Sequence, residues 1–322
     1  MKKGIKISLI IATILVILGL GMTITVLAVN NFDYETLNFG GKIETKEALL
    51  NEDFNNININ VDTMEISFIK TSDATGKIIY DQRVNTNFEI SVAAGTLNVR
   101  QTNIRKFFFF TGFFFKKTKM DIYLPKDTYN NLILNTATGH INIPKEFTFD
   151  KINIDSETGN INLFAKANEI SIETETGRVH LKDINANNIV IETSTGSHTL
   201  ENVNVTNLIK LKIETGRVTL NNVKMDNLRV NSSTGRVYLT NVIASGRFDI
   251  NAGTGSIFLT SSDAAEIYIK TSTGNVTGTL LTSKIFYCKA ETGRINVPKT
   301  TTGGICDIET ETGNIDITIV NP

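Results

Sequence analysis

Cysteine is nearly missing from this chain, which has two, Cys288 and Cys306, in 322 residues. Two cysteines exclude a disulfide-stapled scaffold, and with none near residue 28 a lipobox anchor is excluded as well. Histidine is almost as scarce, at three residues. No paired Cys or His motif has zinc-site spacing, and Gly303-Gly304 lacks the aspartate pattern of calcium-binding solenoid repeats. No metal or cofactor is expected. A basic excess is missing too: 32 Lys and Arg stand against 33 Asp and Glu. Setting aside residues 1–30, which hold Lys2, Lys3 and Lys6 and no acid, leaves 29 basic residues against the same 33 acids. A nucleic-acid partner needs a basic surface and is excluded on this ground.

Long apolar runs are missing with one exception. Ile7–Val29 runs 23 residues without a charge, enough for a helix to cross ~30 Å of hydrocarbon at ~1.5 Å per residue. Lys2, Lys3 and Lys6 precede it and Asp33 is the first acid after it, so the lysine bias predicts a cytoplasmic N-terminus and an exported remainder. The competing reading is a cleaved signal, since Val26-Leu27-Ala28 resembles a cleavage site, but signal peptides have apolar cores of only ~7–15 residues. A retained single-pass anchor in the cell membrane is the expectation.

What the chain does have is a repeat. Thr-Gly recurs with its glycine at 139, 159, 177, 196, 216, 235, 255, 274, 293 and 313, at intervals of 20, 18, 19, 20, 19, 20, 19, 19 and 20 residues. Around each glycine the side chains alternate with the period of a strand. Apolar residues stand two after it (Ile141, Ile161, Val179), four after (Ile143, Leu163, Leu181) and five before (Leu134, Ile154, Ile172). A unit this short cannot bury its apolar row alone; stacking each copy on the next does so and pairs the backbone between copies. The predicted fold is therefore all-β, a parallel β-solenoid of about ten 19–20-residue rungs preceded by one transmembrane helix.

Glycine after threonine marks one corner of the coil. Asn168, Asn188, Asn207, Asn227 and Gly246 mark a second, with residues that tolerate a left-handed backbone. Asp183, Asn202, Asn222 and Asn241, six after their glycines, are expected to stack as a side-chain ladder. Cys288 and Cys306 fall on neighbouring rungs offset by two positions, ~8 Å apart and out of disulfide reach. Residues 1–30 are read as stub and anchor, 31–130 as irregular first rungs and cap, and 131–322 as the regular solenoid. The last strand, IDITIV, is expected to leave an open edge.

One N-terminal span, a strand closing in Tyr123-Leu124-Pro125-Lys126-Asp127, and repeated Glu/Ser-Thr-Gly-Arg/Asn-Val/Ile phrases together resemble the bacterial β-strand-repeat domains called putative adhesins, a family of unknown function. The resemblance covers most of residues 40–322. It implies a parallel β-solenoid on the outer face of the membrane or wall and brings no catalytic residues with it.

Two surface features remain. Glu157, Glu175, Glu214, Glu291 and Glu311 stand two before their glycines, and Arg178, Arg217, Arg236 and Arg294 one after. Neighbouring carboxylates ~5 Å apart approach the spacing of a retaining glycosidase. A ladder repeats that spacing everywhere, whereas a catalytic site breaks a repeat, so the expected state is a solvated charge seam that could hold an envelope glycan. The second feature is FFFFTGFFF, where Phe107, Phe108, Phe109, Phe110, Phe113, Phe114 and Phe115 put seven of the chain's 18 phenylalanines into nine residues. Arg105, Lys106, Lys116 and Lys117 flank it. Buried at ~1.5–3 kcal/mol per Phe, the run demands a cover: the end of the coil, the lipid interface with the cations at the headgroups, or an envelope protein. The function expected is a non-enzymatic binding, adhesion or envelope-sensing module. The alternatives are a structural spacer and, below it, a glycan-active enzyme.

Overall fold

The computed structural model describes residues 3–29, 43–83, 86–103 and 117–320. The phenylalanine run and Arg105, Lys106 and Lys116 lie outside them. Helix α1 (Lys3–Val29) is one continuous element, and none of its Ser8–Val29 span is buried against the rest of the chain. It is long and apolar enough to cross a membrane. The remainder is β: strands make up 74% of the molecule, a solenoid of about 9 turns.

Ten Thr-Gly corners bound those turns, and they stack. Thr138, Thr158 and Thr176 are lateral neighbours, as are Gly177 and Gly196, and Thr234, Thr254 and Thr273. Each long strand that ends at a corner runs parallel to the one below it, residue for residue, so Ile154 lies over Leu134 and under Ile172. The apolar rows close on a continuous interior in which Ile141, Ile161, Val179 and Val218 are wholly buried. Inward residues also include a row that the apolar pattern does not reveal, three before the glycine: Thr136, Ser156, Thr174, Thr193, Ser232, Thr271 and Thr310 are all buried. Several of these hydroxyls donate to backbone carbonyls of the adjacent rung, Thr271 to Gly255 at 3.2 Å and Thr310 to Gly274 at 3.1 Å.

The second corner differs from expectation. Positive φ occurs at Asp183, Asn202, Asn222, Asn241 and Ser261, between 48° and 56°, and not at Asn168, Asn188, Asn207 or Asn227. At those asparagines the chain turns by placing two residues outward in succession, as at Asn187 and Asn188, which needs no left-handed backbone. The extra residue at Gly246 is absorbed as a register shift between Ala244 and Arg247. The six-after ladder forms as expected: Asn202 donates to Asp183 (2.9 Å), Asn222 to Asn202 (3.2 Å) and Asn241 to Asn222 (3.0 Å).

Stacking follows chain order through the middle and departs from it at both ends. Strands β1 (Ile43–Leu50), β2 (Asn56–Thr63), β3 (Glu65–Lys70), β4 (Gly76–Arg83), β5 (Thr86–Ala93), β6 (Thr96–Asn103), β7 (Lys119–Leu124), β8 (Thr128–Thr138) and β9 (Ile141–Ile143) build the N-terminal end. The β2–β3 turn lies between the β6–β7 turn and the β8–β9 turn, parallel to both. Antiparallel strands then close this end, β5 on β6 and β1 and β4 beyond β7. At the other end, residues 304–319 run between the 263–280 turn and the 284–296 turn. The final strand is therefore flanked on both sides at Ile315 and Asp316, while Ile317, Thr318 and Ile319 pair only with Gly278, Thr279 and Leu280. The open edge expected of IDITIV is thus confined to residues 317–319, and the longer open edge belongs to the turn before it, because the chain steps over one level after Leu280 and returns beneath.

Candidate functional site

The corner ridge positions the arginines. Residues one after each glycine form a single file in the order His140, Asn160, Arg178, Ser197, Arg217, Arg236, Ser256, Asn275, Asn314 and Arg294, read from the register of the flanking strands. Toward both ends short polar side chains accept the next backbone N–H: His140 Nδ1 from Asn160 (3.1 Å), Asn160 Oδ1 from Arg178 (3.1 Å), Asn275 Oδ1 from Asn314 (2.8 Å) and Asn314 Oδ1 from Arg294 (2.9 Å). In the middle arginines take over. Arg178, Arg217 and Arg236 line one shallow groove with Ser197, Thr199 and Thr219. At ~4.8 Å per rung the three span roughly 15 Å.

Glu175, Glu214, Glu291 and the four arginines are all exposed. Among the described residues no ion pair joins these arginines to the glutamates two before the glycine. Glu291 pairs instead with Lys289 at 3.5 Å, and Glu311 accepts from Ser272 Oγ at 3.5 Å. Arg217 stands over the Tyr238 ring at 5.6 Å. The groove is therefore a strip of like charge lined with hydroxyls, the composition of a surface for an extended anion. Arg294 lies apart on the end turn, separated from Arg236 by Ser256, Asn275 and Asn314.

Lys117, the one flanking cation described, bonds Glu65 at 2.8 Å and holds that carboxyl below its usual range. Thr118 Oγ1 donates to the Thr63 carbonyl at 2.7 Å and its own carbonyl accepts from Glu65 N at 2.9 Å. The Met64 carbonyl in turn lies where a side chain on Gly139 would fall. The described chain thus resumes, at Lys117 and Thr118, at the foot of the Thr-Gly ridge.

Two further clusters lie in the interior. His198, two residues after Gly196 and so in the inward phase, is wholly buried; its Nε2 lies 2.7 Å from Thr193 Oγ1, and burial pushes its pKa down to about 4. The second is a buried pair, Lys284 Nζ and Asp263 Oδ1 at 2.6 Å, with side chains 3% and 9% exposed. Asp263 also accepts from Ala264 N, Leu281 N and Thr282 Oγ1 at 2.8, 3.1 and 2.7 Å. The pair seals the place where the chain steps over a level. A signal was present: Lys284 stands in the same strand phase as the inward Phe286 and Cys288. Both cysteines are free, in registers offset by two as expected. Burial pushes both thiols up, Cys288 to about 11. Among the described residues no group of three or more His, Cys, Asp or Glu could hold a metal.

The model of the Toastrack DUF4097 family matches residues 54–216 and, a second time, residues 204–322. The chain belongs to this family. The double match on one chain reflects the repeat, since either part of a Toastrack coil presents the same corner and the same interior rows. The fold is shared with a crystal structure of a putative adhesin from Parabacteroides distasonis ATCC 8503, at a TM-score of 0.50 and 13% identity over 87% of this chain and 98% of that one. A putative adhesin from Bacteroides fragilis NCTC 9343 aligns at a TM-score of 0.43 and 14% identity, over 87% of this chain and 97% of that one. A putative lipid binding protein from the same Parabacteroides distasonis strain aligns at 0.34 and 18% identity, over 76% and 98%. No curated protein sequence matches the chain. The β-solenoid of the putative adhesin family, which the corner phrases resemble, agrees with this family and fold.

Proposed function

We propose that this Toastrack coil is a non-enzymatic binding module of the cell envelope, held outside the cell by α1 and gripping an anionic, extended polymer along its arginine groove. The observation that carries the reading is the strip of Arg178, Arg217 and Arg236, free of ion pairs among the described residues, beside Ser197, Thr199 and Thr219. Like charges stacked on successive turns repel one another; an anion that threads past them removes the repulsion and gains charge-assisted hydrogen bonds. An unburied 22-residue apolar helix behind three N-terminal lysines supports the anchor and its direction.

The test is cosedimentation with purified envelope polymers. The Arg178→Ala, Arg217→Ala and Arg236→Ala triple variant should bind at least ~10-fold more weakly, and wild-type binding should fall with salt. Equal binding by both proteins would remove the reading. A structural spacer separates from it by deleting residues 217–235, one turn from corner to corner: a spacer keeps its role, a binding face loses ligand.

A second reading concerns the phenylalanine segment, whose base at Asn103 and Lys117 stands on the turn capped by β1, β4 and β5, the end of the coil to which α1 leads. That position favours contact with lipid or with a membrane partner over a wall-facing role. With the exported part from residue 31, flotation on anionic liposomes should be lost on Phe→Ser change at 108, 110, 113 and 114. Undiminished flotation of the folded variant counts against lipid contact.

A further inference from the structure

The two ends of the coil are finished differently. At the N-terminal end the outermost parallel turn is covered by antiparallel strands, β5 along β6 and β4 along β7. At the other end the outermost turn, Lys284–Thr292 with Ile295–Asn296, pairs among the described residues on one side only, with residues 304–316. Its core-phase residues Phe286, Cys288 and Ala290 are half-buried where their counterparts one level down, Cys306 and Ile308, are wholly buried. Tyr287 is 59% and Ile295 43% exposed. No described segment of the chain covers this edge.

The backbone defines what fits. The Thr292 carbonyl accepts from Gly313 N–H at 2.9 Å, and polar groups alternate sides along a strand. Phe286, Cys288 and Ala290 therefore direct their N–H and C=O to the strand below. Those of Tyr287, Lys289 and Glu291 point out of the open edge. An antiparallel strand centred on Cys288 would meet them as hydrogen-bonded pairs, leaving Cys288 in the close, non-hydrogen-bonded position.

We propose that this edge is closed by the same edge of a second copy of the chain, in two-fold antiparallel register about Cys288. The strand is self-complementary in that register. On the core face Phe286 falls opposite Ala290, large against small, and Cys288 opposite Cys288, so the apolar interior continues from one coil into the other. On the outer face Lys289 falls opposite Tyr287, a cation beside a ring as in the Lys77–Tyr123 and Arg247–Tyr268 contacts of this molecule. Ile285 meets Glu291 only at the solvated margins. The contact is isologous and closes on itself, so it gives a dimer and not a fibre. It joins the two coils through the ends remote from α1, leaves both arginine grooves free, and does not depend on what they bind.

The full-length chain in detergent, carrying Tyr287→p-benzoylphenylalanine, tests this. Irradiation should give a species of twice 35.5 kDa whose crosslinked peptides both fall in 284–292, while the same probe at Tyr238 on the side wall gives none. Ala290→Lys puts a charge opposite Phe286, and Lys289→Pro removes an edge N–H that the single coil leaves unpaired. Both variants should lose the crosslink while still melting cooperatively as folded chains. Absence of the dimer, crosslinks mapping elsewhere, equal crosslinking from Tyr238, or a dimer that persists in both folded variants would each overturn the proposal.

Discussion

Replacing Gly216 by alanine should cost far more than replacing Gly95 by alanine, although both glycines have positive φ. At Gly216 φ is +149°, and an added Cβ would lie 1.7 Å from the Gly196 carbonyl oxygen, 2.7 Å from its carbon and 3.0 Å from Ile213 Cδ1. Ordinary contacts between heavy atoms are ~3.5 Å, and the obstacle is backbone of the turn below, which cannot rotate away as a side chain does. Relief requires the two turns to separate, which breaks ladder bonds beside the corner worth ~1 kcal/mol each, on top of ~1–3 kcal/mol of backbone strain. The sum is about 4 kcal/mol or more, in the range reserved for severe lesions. At Gly95 φ is +71° with nothing within 4 Å, so only the left-handed penalty of ~1–2 kcal/mol applies. Denaturant melts of the two variants, with hydrogen exchange read over residues 196–236, measure the difference. Because each turn touches only its neighbours, the lesion should also split the melt into two transitions. Equal costs within ~1 kcal/mol, or undiminished exchange protection across the Gly196–Gly216 step, would refute the argument that the ridge is glycine for lack of space.

Other predictions rest on separate observations. His198 is held neutral, its pKa down from 6.5 to about 4; between those values the unfolded chain binds the extra proton, so its contribution is complete above pH 6.5 and is lost as pH falls through 4. At ~1.36 kcal/mol per unit this is about 3 kcal/mol, and His198→Val, which restores the residue type of neighbouring turns, should remove that part of the acid sensitivity in pH-dependent melts. An unchanged difference between pH 7 and pH 4 would contradict it. The interleaved order of the last turns is checked by paired cysteines in a Cys288→Ser, Cys306→Ser background. Tyr268→Cys with Asp307→Cys, lateral neighbours, should join on oxidation; Tyr268→Cys with Tyr287→Cys, two levels and ~10 Å apart, should not. The opposite result would mean sequential stacking.

Much of the molecule was legible because a solenoid repeats one local decision. Thr-Gly corners, inward Ile, Val and Leu, and the Asn202–Asn222–Asn241 ladder follow from period and residue type alone, and the same positional logic holds wherever the neighbours above and below are copies of the same turn. The buried hydroxyl row was less visible, since Thr and Ser in an inward phase look polar, and the carbonyls that accept from Thr136, Thr271 and Thr310 belong to other turns. The asparagine corner at 188 is a bend as expected but keeps an ordinary backbone, because left-handed tolerance permits positive φ without requiring it.

By itself the sequence determined the coil, its pitch, the single apolar helix and the residues along the ridge, because each depends on spacing within one turn. Only the tertiary structure decided the order in which the terminal turns stack, which strand is left open, that the ridge arginines carry no paired glutamates, and that Lys284 and Asp263 meet. Those are contacts between turns that are not consecutive, or choices among equivalent partners. In a repeat every turn offers almost the same edge to every other, so the pairing at the ends is settled by chain connections and packing rather than by pattern.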